Sequence, residues 1–196
     1  MKNILIVVVL AILLLGGCGG CRGYNKMVTL DQDVKGKWGN VQSEYQRRSD
    51  LIPNLVNTVK GAANFEQETL TKVIEARAKA TQTTIDPTNL TPENIQKFQQ
   101  AQGELSGALS RLLVTVEKYP ELKANANFTA LQTQLEGTEN RIKVARNDFN
   151  GSVQGYNTAV KTFPNNIFAN IFGFKEKGYF AADPGADKTP TVDFSK

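Results

Sequence analysis

The charged residues with most chemical reach fall in a few short words of the chain: Arg47, Arg48 and Asp50; Glu75 and Arg77; Glu117; and Glu139, Arg141 and Arg146. A guanidinium is a planar fork of N–H donors that grips a carboxylate or phosphate at two points, and neighbouring Glu and Asp can answer it. Two uses follow. Lining a groove, the cluster would bind an anionic ligand. Turned inward, it would form ion pairs and hydrogen bonds fixing which helix meets which, for example Arg48 or Arg77 with Glu117 or Glu139. The inward, structural use is the preferred reading, and it makes single charge removals costly to the fold.

Catalytic alternatives are few. The chain has no histidine, which excludes Ser-His-Asp and Cys-His nucleophiles, HExxH zinc chemistry and imidazole haem ligation. Glu117 and Glu121 could pair as acid and base for glycoside hydrolysis only if a helix survived Pro120. Di-iron bundle sites need Glu-x-x-His pairs. The expectation is therefore no catalytic residue, no cofactor and no metal. The net charge is +4, but the 23 Lys and Arg are interleaved with 19 acidic residues. No basic block gathers for phosphate neutralisation, so nucleic acid is not an expected partner.

Sulfur is confined to Cys18 and Cys21. Lys2 precedes an apolar run from Ile4 to Leu15, and Leu15-Gly16-Gly17-Cys18 closes it. That is signal-peptide anatomy, and its ending resembles a bacterial lipobox, which implies diacylglycerol on the Cys18 thiol. An uncleaved spanning helix competes with this. It needs about 20 apolar residues, a length reached only by counting Gly16, Gly17, Gly19 and Gly20, which disfavour helix. Lipid attachment at Cys18 is preferred, and either anchor leaves the rest of the chain outside the cytoplasm. Cys18 and Cys21 as a metal pair would lack a second pair of ligands.

These residues need elements to position them. Composition suits one domain with a true core, at 40% hydrophobic and 21% charged residues. The expected organisation is an anchor segment over 1–17, a flexible hinge over 18–28, a bundle over 29–180 with a C-terminal packing segment, and an extended tail over 181–196. Thr29-Leu30-Asp31-Gln32 has capping-box spacing. Val34, Trp38, Val41, Tyr45 and Arg48 then follow at helical intervals. Pro53 predicts a kink or break near 49–53, with a second helix resuming through Leu55, Val59, Leu70 and Val73 to about Gln82. Thr91-Pro92-Glu93 starts a third helix, buried through Leu105, Leu109, Leu112 and Val116. The last stripe runs through Phe128, Leu135, Thr138, Ile142, Phe149, Val153, Tyr156 and Val160 to Phe163, and Pro164 stops it. Helices apolar on one stripe only must pack together. The fold class is thus all-α, an up-and-down bundle of about four long helices, the first broken near Pro53. The Phe-rich segment after Pro164, from Ile167 to Phe180, should mostly pack over one end of it.

Several words resemble the bacterial LemA family. They include Tyr45-Gln46-Arg47-Arg48-Ser49-Asp50-Leu51-Ile52-Pro53-Asn54-Leu55, Glu75-Ala76-Arg77, Tyr119-Pro120-Glu121-Leu122-Lys123, Thr138-Glu139-Asn140-Arg141-Ile142, Tyr156-Asn157 and Val192-Asp193-Phe194. The resemblance implies an N-terminal membrane anchor followed by a long-helix bundle, and it supplies no reaction. Families of this kind often carry a longer spanning helix than the short, cysteine-closed segment found here. The functional expectation is a membrane-anchored, non-catalytic envelope scaffold or interaction module, partnered by an envelope protein or by itself. The alternative is a ligand-binding or enzymatic module built on the Arg/Glu cluster.

Overall fold

The computed structural model describes residues 2–61 and 65–182, with side chains described from residue 20 onward. Every regular element among them is helical: α1 (Lys2–Lys60), α2 (Gln67–Gln82), α3 (Pro92–Val116), the one-turn α4 (Pro120–Lys123), α5 (Ala126–Lys161) and α6 (Asn165–Phe172). Trp38 packs against Phe149 while Arg48 meets Glu139, so α1 and α5 run antiparallel. Lys79 with Glu104 and Gln102 with Ala80 join α2 to α3. The four long elements alternate in direction, as the apolar stripes require.

The helix starts are chemical. The Thr91 hydroxyl accepts from the Asn94 amide with Pro92 in the first turn, and Asn125 caps α5 by accepting from the Asn127 and Phe128 amides. These contacts satisfy N–H groups that have no partner within the helix.

Helix α1 departs from expectation in three places. Pro53 lies inside it, and the chain turns only after Lys60. Proline removes the N–H that the Ser49 carbonyl would have accepted, and Arg77 of α2 supplies a replacement, its Nε donating to that oxygen at 2.8 Å. Thr29 does not cap a helix start; its hydroxyl donates to the Asn25 carbonyl one turn back. The stretch read as a hinge over 18–28 is helical throughout. Its glycines serve a close approach: a Cβ on Gly20 would stand 2.9 Å from Phe168 Cε1, and one on Gly23 2.8 Å from Asn165 Oδ1. Helix α6 packs on this flat surface.

Two apolar clusters fill the interior. One gathers Val34, Trp38, Val41 and Tyr45 with Ile95, Phe98, Ile142, Phe149, Tyr156 and Phe180. The other gathers Ile52, Leu55, Val59, Leu70 and Val73 with Leu105, Leu109, Leu112, Phe128 and Leu135. After Gly173, which turns the chain with φ 77°, an extended strap over 174–182 returns along the bundle and delivers Phe180 into the first cluster. The C-terminal segment is only partly packed. Phe180 is buried, but Phe163, Ile167, Ile171, Phe172 and Tyr179 remain exposed. Phe163 was expected on the α5 stripe, but α5 ends at Lys161 and turns it outward.

Among the described residues no helix is long and apolar enough to cross a membrane. The expected anchor, the Cys18 attachment point and the tail from residue 183 lie outside the described side chains.

The glycines predict stability changes of opposite sign. Gly107 and Gly151 sit mid-helix and exposed, with nothing within 4 Å of an added Cβ. Alanine at either should stabilise by about 0.5–1 kcal/mol. At Gly178 an added Cβ would lie 2.6 Å from Pro92 Cα and 2.8 Å from its nitrogen. Gly178→Ala should therefore push the strap off the start of α3 and cost about 1–3 kcal/mol. Urea unfolding of the three variants checks both signs.

Candidate functional site

The two apolar clusters are separated by a polar layer. Arg48 on α1 is 1% exposed and lies at its centre. One terminal nitrogen donates to Glu139 Oε1 at 2.5 Å and Ser106 Oγ at 2.7 Å. The other donates to Gln102 Oε1 at 2.7 Å and to the Gln102 carbonyl at 3.3 Å. Gln102 Nε2 donates onward to the Ala80 carbonyl on α2 at 3.3 Å. One connected network thus runs through all four long helices. The guanidinium carbon also stands 5.0 Å from the centre of the Tyr45 ring. Arg48 Nε is buried without a hydrogen-bond partner.

Neighbouring contacts extend the layer. Ser49 and Thr81 share a hydroxyl hydrogen bond at 3.2 Å beside the Arg77 contact. Thr138, fully buried on α5, donates to the Gln134 carbonyl and accepts from Arg141 Nη2 at 3.1 Å. Arg141 Nε reaches Glu44 of α1 at 3.1 Å. Removing a charge from water costs several kcal/mol unless acceptors replace the lost hydration. Arg48 has four such contacts, and Glu139, 47% exposed, keeps part of its own hydration.

The layer brings together Arg48, Arg77, Glu139 and Arg141 of the residues singled out from sequence. It does not gather the rest. Arg47 and Glu75 are exposed; Asp50 is exposed and accepts from Gln46 one turn away; Glu117 pairs with Lys123 at 2.6 Å rather than with Arg48 or Arg77. Arg146 instead serves the strap, donating to the Ala181 carbonyl at 2.9 Å and lying 4.9 Å over the Phe180 ring. Among the described residues no group of three or more Cys, Asp or Glu could hold a metal ion.

Sequence reasoning overlooked Gln102, whose signal was a polar residue between Phe98 and Leu105 on a buried face. It also overlooked three amides that hold the strap. Asn157 donates to the Lys177 carbonyl and accepts from its N–H, both at 2.9 Å. Asn150 does the same for Phe180, and Gln99 for Ala181. Each side chain supplies the donor and acceptor that a neighbouring β-strand would offer. Asn150 and Asn157 are seven apart within the apolar stripe of α5, and that interruption was the legible sign.

The strap carries its own charges. Lys177 Nζ lies 2.8 Å from Asp31, which also pairs with Lys35 at 2.7 Å. Burial pushes the Asp31 carboxyl upward, but hydrogen bonds from Lys177 and Lys35 outweigh it and hold it below its usual value. Tyr156 donates to the Lys175 carbonyl at 3.0 Å, and burial, aided by Asp31, lifts its phenol to about 12.

A depressed Asp31 contributes stability above the ordinary carboxylate range that is lost as pH falls through its folded pKa. A raised Tyr156 contributes stability that is lost as pH rises from about 10 to 12. Amide protection over 174–182, taken relative to the intrinsic exchange rate at each pH, should fall at both extremes, and Asp31→Asn should flatten the acid limb alone. In the polar layer, Glu139→Ala leaves a buried guanidinium without its counter-charge and should cost about 2–4 kcal/mol in urea unfolding. Arg48→Lys should not preserve stability, because an ammonium cannot reach both sides of the fork.

Comparison with known proteins adds a lineage to this geometry. The model of the LemA family matches residues 37–194. Magnetosome protein MamQ 1 of Paramagnetospirillum magneticum is 28% identical over 86% of this chain and 68% of its own length. MamQ of Magnetospirillum gryphiswaldense is 29% identical over the same shares. Protein LemA of Metamycoplasma hominis is 22% identical over 81% of this chain and 68% of its own. The matched region contains the polar layer, the amide-held strap, α2 to α6 and α1 from Lys37 onward, and the chain belongs to the LemA family.

Proposed function

We propose that this protein is a non-enzymatic scaffold of the bacterial envelope, anchored in a membrane by its N-terminus with the bundle outside the cytoplasm. Its long faces dock an envelope protein or further copies of itself. The observation that carries the reading is the continuity of α1. The helix that continues directly from Cys18, the proposed attachment point, is the same helix that delivers Trp38 and Arg48 to the core. From Cys18 to its end at Lys60 it spans about 65 Å at about 1.5 Å per residue. An anchor built this way fixes the position of the bundle as well as its compartment.

The burial of Arg48 supports a structural use of the charged cluster over a ligand site. A guanidinium with its terminal nitrogens committed to Glu139, Ser106 and Gln102 offers little to a phosphate or carboxylate arriving from solvent. The absence of histidine removes the commonest general base.

Attachment is proposed through diacylglycerol on Cys18. Two measurements test the whole reading. Intact mass of the membrane-extracted protein should show a chain starting at Cys18 with added acyl mass, and Cys18→Ala should abolish both changes. Crosslinking in intact cells should join bundle faces to a neighbouring envelope protein or a second copy. A Cys18→Ala protein still membrane-bound and otherwise unchanged in mass would replace lipidation by an uncleaved span. A chain found in the soluble fraction, monomeric and without crosslinks, would overturn the scaffold itself.

A further inference from the structure

Helix α6 leaves apolar surface exposed at a telling place. Phe163 is 80% exposed, Ile171 69%, Phe172 53% and Ile167 49%, and Tyr24, 40% exposed, meets Phe172 at 4.9 Å between ring centres. Ile167 and Ile171, four apart, share one helical face. Such a patch in water is costly unless something covers it.

Position and charge identify the cover. Phe168 packs on Gly20 and Asn165 on Gly23, so α6 stands beside residues 20–24 of α1. That is five residues beyond Leu15, about 7–8 Å along the helix axis. It is also two residues beyond Cys18. The chain carries no Asp or Glu from residue 1 to 30 or from 162 to 175. Arg22, Lys26 and Lys175 are exposed at the same end, and Glu176 beside Lys175 is neutralised by Lys161 at 2.8 Å. Apolar side chains rimmed by cations suit a membrane interface, where rings and aliphatic groups enter the acyl boundary and cations meet anionic headgroups. A second copy on the same patch would bring like charges together, which opposes association.

We propose that α6 and the Phe163 turn form a collar that inserts into the headgroup region of an anionic phospholipid bilayer at the point where the anchored end of α1 meets it. The collar rests on the anchored reading above and holds for either form of anchor. An eight-residue helix is too short to bind a membrane firmly by itself. Tethered at the surface, it acts at high effective concentration and sets the tilt of the α1 rod.

The test uses the full chain in vesicles of phosphatidylglycerol and phosphatidylethanolamine carrying a lipid with a photoactivatable group near its acyl carbonyl. After illumination, mass spectrometry locates the adducts. Lipid adducts are expected within 163–172 severalfold above those at Val114 and Val144, which are 68% and 61% exposed and lie away from the anchor end. Phe163→Ser with Ile171→Ser, both surface changes, should lower the 163–172 signal severalfold while labelling of the N-terminal segment persists. Adducts in the N-terminal segment with none in 163–172 would overturn the collar and leave the anchor standing. Adducts in neither would overturn the anchored reading as well. Protein–protein crosslinks through 163–172 in place of lipid adducts would assign the patch to a second copy.

Discussion

A guanidinium with 1% of its surface exposed must find its acceptors inside the protein, and the four long helices of this chain are arranged around that need. Arg48 takes them from α3 and α5, and Gln102 passes the connection to α2. Apolar stripes with near-heptad spacing are forgiving: a helix displaced by a turn exchanges one Leu or Val for another at modest cost. A fork that requires a carboxylate, an amide oxygen and a hydroxyl at fixed positions is not. The polar layer therefore specifies register between two clusters that apolar contact alone would leave free to slide, and it does so at the cost of desolvating a charge.

Sequence patterns revealed this arrangement to different depths. Helical periodicity identified the buried stripes because burial acts residue by residue, and Trp38, Leu112, Ile142 and Phe149 are all inside. The family resemblance agreed, and the match over residues 37–194 bears it out. The reading at Pro53 was incomplete because the compensation lies 24 residues away in sequence, where Arg77 takes the carbonyl that proline abandons. A local rule about proline cannot include a donor from another helix. The same gap explains the choice between Glu117 and Glu139. Both were plausible partners for Arg48, but Arg48 meets α3 at Gln102 and Ser106, so Glu117 lies about 16 Å further along the chain direction and pairs with nearby Lys123.

The strap was the least legible element. It has no periodicity, and its stability comes from side chains elsewhere: Asn157, Asn150 and Gln99 offer amide edges to Lys177, Phe180 and Ala181. An extended segment without a neighbouring strand would otherwise leave peptide groups unpaired against an apolar core. Phe180 can enter that core beside Trp38 and Phe149 because the flanking backbone is satisfied on the way in.

The glycine-rich stretch over residues 16–23 unites these constraints. Read alone, Gly16, Gly17, Gly19, Gly20 and Gly23 weaken a helix, since each gives up about 1 kcal/mol of propensity relative to alanine. A hinge there would let the bundle swing freely from its N-terminal segment. Instead, the bare backbone at Gly20 and Gly23 admits Phe168 and Asn165 of α6 to distances that any larger residue would forbid. Tyr24 adds ring contacts with Phe172 and Phe174 at 4.9 and 5.7 Å. The residues that make α1 prone to bend are thus the ones that let a second helix brace it. That brace keeps α1 a single lever from Gly20 to the turn after Lys60, with the Arg48 layer clamped near its far end.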